Sequence, residues 1–171
     1  MFQLPSRRTN AGDSAATNLL LIFALAAIFT FFALPGYRSY TLREHSKLAR
    51  IVMVDASDRF RDWQKTHALQ APVSFGDLGF LAAALYVNSD GTAQPSANIN
   101  SIYRVSLAAA DTAPEQRCGL QAAKDQGGFI LVAEPIQTQR IETMCARLCL
   151  SSSGQKGVTG SAGVAQCWAK H

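Results

Sequence analysis

The chain has 171 residues, of which 48% are hydrophobic, and its formal net charge is +4 at neutral pH. This length accommodates one ordinary domain and argues against a second independent core. The basic residues are scattered among Asp and Glu rather than clustered, so the charge does not indicate a groove that follows a nucleic acid backbone.

A short polar leader occupies positions 1–13 and includes Arg7 and Arg8. Positive charge ahead of an apolar run favours an N-terminus that stays in the cytoplasm. We therefore predict a cytoplasmic leader and export of the chain that follows the apolar run.

The apolar run itself extends from Ser14 to Tyr37 without a charged residue, and in its centre, Leu19 to Leu34, the only polar residue is Thr30. A helix needs roughly 20 mainly apolar residues to span a bilayer. A secretory signal peptide is the alternative interpretation, but the bulky Phe31 and Phe32 leave no obvious small-residue cleavage site. The pattern predicts a single membrane span over 14–37.

An amphipathic segment follows from Tyr40 to His67. We expect Pro35-Gly36 to kink the helix rather than end it, since such pairs are tolerated in membrane helices. No Gly/Ser linker intervenes, so the sequence predicts one long helix whose second half needs a sheet to cover its apolar stripe. Residues of that stripe recur every three or four positions: Leu48, Ile51, Val52, Ala56, Phe60 and Trp63.

The next stretch, Gln70 to Ser101, is rich in Pro, Gly, Asn and Asp and reads as a connecting loop with sparse regular structure. Within it, Val73 to Val87 has enough large apolar side chains to pack against the folded body. These are Phe75, Leu78, Phe80 and Leu85.

Three short runs typical of strands come after the loop: Ile102–Ala109, Gly128–Glu134 and Ala146–Ser151. The first alternates apolar and polar residues, which predicts that Tyr103, Val105 and Leu107 face the helix. An antiparallel meander is the simplest topology, and the fold class is α+β. The Ser/Gly-rich stretch 151–163 would have no fixed conformation without a covalent cross-link.

All four cysteines, Cys118, Cys145, Cys149 and Cys167, lie in the C-terminal third. An even number in a small exported region predicts disulfides rather than metal or redox use. Four cysteines allow three connectivities, and spacing alone does not choose among them. The sequence also lacks the common hydrolase, phosphate-loop and dinucleotide motifs, so we predict no enzymatic activity.

Several segments resemble the type IV pilins and, within them, the PilE-type minor pilins. The helix exit, Leu34 to Tyr40, resembles the Pro-x-Tyr-x-x-Tyr segment of pilin helices. Tyr103–Ser106 and Phe129–Pro135 resemble the paired strands of the family, and Cys145–Gly154 followed by Cys167–Trp168 resembles its C-terminal disulfide loop.

The resemblance implies a type IV pilin fold in which a long N-terminal helix packs on a small antiparallel sheet in a periplasmic domain, here 38–171. It implies a structural subunit of a type IV pilus that serves pilus assembly, twitching motility or adhesion. Its partners would be other pilin subunits and the assembly platform of the inner membrane, without cofactor, metal or small-molecule substrate. Pro35, Tyr37 and Tyr40 would lie on the filament helix.

For the cysteines, the resemblance implies a bond between Cys145 and Cys167 that closes the terminal loop, which leaves Cys118 and Cys149 to pair. In a meander, the connection after the first strand lies at the end where the third strand finishes, which could bring these two together. This second pairing is a hypothesis.

The chain departs from the family at the processing site. By analogy, the prepilin peptidase would cut between Asp13 and Ser14, but the glycine it needs, Gly12, is one place off, and Asn18 stands where the family has a glutamate. Two alternatives therefore stay open: a tethered periplasmic protein that never enters a fibre, and a pseudopilin of a type II secretion system. A DNA-uptake role rests only on the mild basicity.

Overall fold

A computed structural model describes residues 11–67, 74–78, 80, 82–108, 112–121 and 128–169, with the side chains at 11–15, 33–35, 38–39 and 77–78 outside the description. The chain divides into two compact units, Met1–Thr41 and Leu42–His171. Helix α1, Ala11–Thr66, supplies residues to both units.

Helix α1 covers the apolar run and the amphipathic segment, as the lack of a linker between them predicted. Ion pairs spaced three or four residues apart support its exposed surface in the second unit. Each contributes about 0.3–0.5 kcal/mol at most, because both partners stay solvated. The pairs are Glu44–Lys47, Asp55–Arg59, Asp58–Arg61 and Asp62–Lys65.

The buried apolar residues of α1 in the second unit are Ala49, Met53, Ala56 and Phe60, each 1% exposed or less. The amphipathic prediction is confirmed, but the inclusion of Ile51 in the stripe is wrong, since this side chain is 65% exposed. At 100° per residue, Ile51 lies about 200° around the helix from Ala49 and therefore faces away from the sheet.

A six-stranded antiparallel sheet in the order β2-β1-β3-β4-β5-β6 completes this unit. Within β3 and β4 the register pairs Tyr103 with Pro135 and Val105 with Ala133. The strands are β1 (Ala84–Asn88), β2 (Ala93–Gln94), β3 (Ser101–Leu107), β4 (Ile130–Pro135), β5 (Leu148–Ser151) and β6 (Lys156–Val158).

The three predicted strands correspond to β3, β4 and β5, and their antiparallel meander is confirmed. In β3, Tyr103 and Val105 are fully buried, whereas Arg104 is exposed, as the alternation predicted. The helix side of the core also contains Leu107 as a partly buried member. The α+β fold class is therefore correct.

The prediction of sparse structure over Gln70–Ser101 is wrong for the part that forms β1 and β2. These strands make a hairpin whose turn contains Asp90 and Gly91, and Gly91 adopts a positive φ of 86° that a side chain would strain. The Asp-Gly pair was the signal that the sequence analysis did not use. Residues 68–73, 79 and 81 lie outside the described part of the chain.

The loop side chains expected to pack against the body do so where they are described: Phe75 is fully buried, Leu85 is 2% exposed and Phe80 is partly buried. The side chain of Leu78 lies outside the description. Phe60 of α1 contacts Phe75 and Phe129 with ring centroids 5.4 and 4.9 Å apart. Tilted and edge-on rings at these distances add to the stabilisation that burial provides.

The Ser/Gly-rich stretch at 151–163 has regular structure, because β6 forms within it and helix α2, Gly163–Cys167, follows directly. β6 pairs with β5, so that Cys149 lies opposite Gly157. A three-residue strand of this composition has little intrinsic preference for the sheet, so its formation depends on its neighbours.

A buried polar cluster links α1 to the sheet. Tyr103 Oη lies 3.1 Å from Ser46 Oγ and 3.5 Å from Gln139 Nε2. The amide of Gln139 also donates to Leu42 O at 3.1 Å, and its oxygen lies 2.9 Å from His45 Nδ1. Burial raises the pKa of Tyr103, an effect that the hydrogen bonds from Ser46 and Gln139 oppose.

Replacing Phe60 with Ala should lower the free energy of unfolding by about 3–5 kcal/mol, because the change leaves a cavity between α1 and the aromatic side chains it contacts. Chemical denaturation of the full chain measures this value. The control is Ile51→Ala on the exposed face of the same helix, which should change stability by less than about 0.5 kcal/mol. Equal losses for the two variants would contradict the assignment of the buried face.

Replacing Tyr103 with Phe should flatten the pH dependence of stability above about pH 10. The folded state keeps the phenol proton because burial raises the pKa of Tyr103, whereas the unfolded state releases it near its ordinary pKa, about 10. Wild-type stability should therefore fall as pH rises through this range, since the unfolded state then binds fewer protons. Denaturation midpoints measured between pH 7 and 11 test this, and identical slopes for both proteins would refute it.

Candidate functional site: the disulfide-closed C-terminal loop

The C-terminal loop, residues 145–167, is closed by a disulfide between Cys145 and Cys167. A second disulfide joins Cys118 to Cys149. These are the pairs that the resemblance implied and that the meander geometry suggested. They lie on opposite faces of the sheet: Cys145 and Cys167 belong to the core next to α1, whereas Cys149 packs with Ile130 and Val132 on the other face.

The buried carboxylate of Glu142 fixes the backbone where the loop begins. It accepts hydrogen bonds from the backbone N–H groups of Met144 at 2.7 Å, Cys145 at 2.9 Å and Ala146 at 2.6 Å. Ala146 adopts a φ of 47°, which a residue other than glycine holds only when its surroundings impose it. The three charge-assisted bonds provide that constraint and set the direction of Cys145. Glu142 has no distinctive sequence motif, because many carboxylates can bind the backbone turn that follows them.

Two glycines allow the loop to fold back on its own beginning. A Cβ atom at Gly160 would lie 2.1 Å from Met144 O, and one at Gly157 would lie 2.7 Å from the Cβ of Cys118. Both distances are far below contact separation. Gly160 thus permits the turn to pass over residue 144, and Gly157 leaves room for the Cys118–Cys149 disulfide above β6.

The chain after the loop is bound to α1 and β6. Arg50 Nη1 donates to Ala169 O at 2.9 Å, and Trp168 Nε1 donates to Gly157 O at 3.3 Å. Lys156 Nζ lies 5.4 Å from the centroid of the Trp168 ring, within the range of a cation–π contact. Burial lowers the pKa of Arg50, against a smaller opposing effect of Glu44. These contacts hold Trp168 at the edge of the core.

The predicted filament residues belong to the first unit. Asn18, Tyr37 and Tyr40 are exposed on α1, the two tyrosines by 70% and 63%. The side chains of Gly12, Asp13, Ser14 and Pro35 lie outside the description, although α1 includes their backbone.

Large apolar side chains of the first unit are exposed all around α1 and are here named the apolar row. Each is between 55% and 77% exposed: Leu19, Leu20, Leu21, Ile22, Phe23, Leu25, Ile28, Phe29, Phe31 and Phe32. So large an exposed apolar surface exceeds what a soluble monomer usually presents.

No helix is both long enough and apolar enough to cross a membrane when only the described residues are considered. The predicted span includes the undescribed side chains of Ser14, Ala15, Ala33, Leu34 and Pro35, and it stays a prediction.

Removing the Cys145–Cys167 bond by serine substitution at both positions should lower the free energy of unfolding by about 3 kcal/mol, the chain-entropy value for a loop of this length. It should also make the peptide bonds after β6 accessible to protease, because only noncovalent contacts then hold the segment 159–169. Limited proteolysis with mass mapping detects this.

The matched control is the double serine variant of Cys118 and Cys149. It should lose a similar amount of stability, but early cleavage should move to the segment 112–121 on the opposite face. Identical cleavage patterns for the two variants would show that the two disulfides do not stabilise separate parts of the sheet.

The chain was compared with protein-family models and with curated protein sequences, and it matches none of them.

Proposed function

We propose that this chain is a minor pilin or pilin-like subunit, built on a type IV pilin fold, of a type IV pilus or a related secretion filament. The single observation that carries the proposal is the exposed apolar row between Leu19 and Phe32 of α1. Side chains so exposed require lipid or other apolar helices around them. A subunit that leaves the membrane to join a filament exchanges one of these surroundings for the other.

The organisation of the second unit supports the same proposal. A helix packed on an antiparallel sheet, followed by a disulfide-closed C-terminal loop, is the arrangement that the resemblance to pilins implies. The absence of Lys, Arg, Asp and Glu between Ser14 and Tyr37 in the sequence fits a single membrane span that anchors the chain. On this proposal, residues 38–171 lie in the periplasm and the leader lies in the cytoplasm.

The mechanism is packing rather than chemistry. Transfer of α1 from lipid to neighbouring helices costs little, because both environments are apolar. A charged residue at position 18 would have to pair in the low-dielectric surroundings, whereas neutral Asn18 can only form hydrogen bonds. The partners on this proposal are other subunits and the inner-membrane assembly platform.

A second candidate is a membrane-tethered periplasmic protein that never enters a fibre. Asn18 and the displaced Gly12 favour it, since a chain that is neither cut nor able to pair with a free amine would stay in the membrane. A pseudopilin of a type II secretion system would pack its helix in a filament in the same way, but that filament would belong to a secretion system and not to a pilus.

Cell fractionation combined with N-terminal sequencing tests the proposal and separates the candidates. The filament subunit should occur in the inner-membrane fraction and in sheared surface filaments, with a mature N-terminus near Ser14. The tethered protein should keep Met1 and be absent from sheared filaments. Recovery in the soluble cytosol would refute both.

The Ile22→Asp, Ile28→Asp double variant tests the role of the apolar row by placing two charges in it, and Ile51→Asp is its control. Burial of a charge in the centre of a bilayer costs at least about 2.5 kcal/mol for each aspartate. This variant should therefore be depleted from the membrane fraction, whereas an Ile51→Asp change on the exposed face of the second unit should not alter fractionation.

A further inference from the structure

A cleft of about 720 Å³, here named the α1–β6 groove, lies within the second unit between the exposed face of α1 and the chain around β6. On the helix side, Ile51 and Val54 are 65% and 45% exposed. On the opposite side, the groove is bordered by Trp168 and Lys156. Two exposed β-branched side chains on adjacent helical turns, next to an indole ring, form a small apolar surface.

Two cations border this apolar surface, Arg50 from α1 and Lys156 from β6. Among the described residues, neither forms an ion pair with a carboxylate. Arg50 donates instead to the backbone carbonyl of Ala169, and Lys156 lies over the Trp168 ring. Within the described part of the chain, the partly buried guanidinium of Arg50 thus lacks an ion-paired anion, and Glu44 offsets its desolvation only in part.

The acidic residues of the groove do not supply that anion. Asp55 and Asp58 lie farther along α1, and they bind Arg59 and Arg61 at 2.9 and 3.1 Å. The groove therefore presents two cations, Arg50 and Lys156, that form no ion pair with any residue that the structure describes, whereas its carboxylates are paired with cations of their own helix. The complementary ligand has negative charge at one end and apolar groups beside it.

The length of the groove limits the size of that ligand. The lining residues of α1 extend from Lys47 to Asp58, which corresponds to about 16 Å at a rise of 1.5 Å per residue. An extended peptide covers this distance with about five residues. The groove thus fits a short peptide segment.

We propose that the α1–β6 groove binds an acidic, apolar peptide segment of another protein. Its carboxylates contact Arg50 and Lys156, and two or three of its apolar side chains cover Ile51 and Val54. The proposal is independent of the filament function, because all the residues that carry it belong to the second unit and are separate from the apolar row of the first.

The test is fluorescence anisotropy with the full chain in phosphatidylcholine nanodiscs and a panel of labelled hexapeptides. Each probe has two aspartates followed by four residues drawn from leucine, isoleucine, valine and phenylalanine. Matched panels replace the aspartates by lysines or the apolar residues by serines. Members of the acidic, apolar panel should bind, members of the two matched panels should not, and rising salt should weaken the binding.

Two variants locate the binding in the groove. Lys156→Gln and Ile51→Ser should each weaken the best peptide about fivefold, the effect expected for one partly exposed charge pair or one apolar contact. Lys65→Gln removes the same charge from an exposed position of α1 outside the groove and should leave the affinity unchanged. Chemical denaturation of each variant checks that the fold is intact.

Three results would overturn the proposal. The first is that no acidic, apolar peptide binds at up to 1 mM, about the weakest affinity that such an assay resolves. The second is binding that Lys156→Gln and Ile51→Ser do not weaken relative to Lys65→Gln. The third is that the groove variants alter only self-association of the chain, or only its binding to phosphatidylglycerol vesicles, which would assign the groove to a second copy or to lipid.

Discussion

The burial of one face of α1 against the sheet is the interaction on which the rest of the second unit depends. Met53 and Phe60 pack into the same core as Tyr103 and Leu131, and full burial of each large apolar side chain stabilises the fold by about 1.5–3 kcal/mol. The strands are two to seven residues long, too short to be stable as isolated hairpins. The helix supplies the apolar surface against which they become a sheet.

The two disulfides stabilise opposite faces of that sheet. Cys149 lies in β5 and binds the segment around Cys118 on the face away from α1, whereas Cys145 lies just before β5 and binds the end of α2 on the helix side. The third of the chain that holds them has few long apolar runs and many small residues. Covalent closure limits the freedom of its unfolded state and so adds to the stability that the core provides.

The molecule has two surfaces of different chemistry. In the first unit, the exposed side chains of α1 from Leu19 to Phe32 are almost uniformly apolar, which suits lipid or other helices. In the second unit, the α1–β6 groove combines Ile51 and Val54 with the cations Arg50 and Lys156. Mixed surfaces of this kind recognise a partner by charge as well as by apolar contact, so the two regions are suited to different ligands.

The sequence by itself determined the long helix, the strands β3 to β5 and the presence of disulfides. These follow from local periodicity and from the number of cysteines. Of the buried face of the helix, the sequence identified Ala56 and Phe60 but not Ala49 and Met53. Only the tertiary structure decided β6 and the groove around Arg50 and Trp168, whereas the Asp90-Gly91 pair was a local signal for the hairpin of β1 and β2. Strand β6 and the groove both depend on contacts between residues far apart in the chain: Gly157 of β6 lies against Cys118, and Arg50 of α1 donates to Ala169 O. A local pattern cannot encode such contacts, since the same short Ser/Gly-rich segment would have no regular structure without its neighbours.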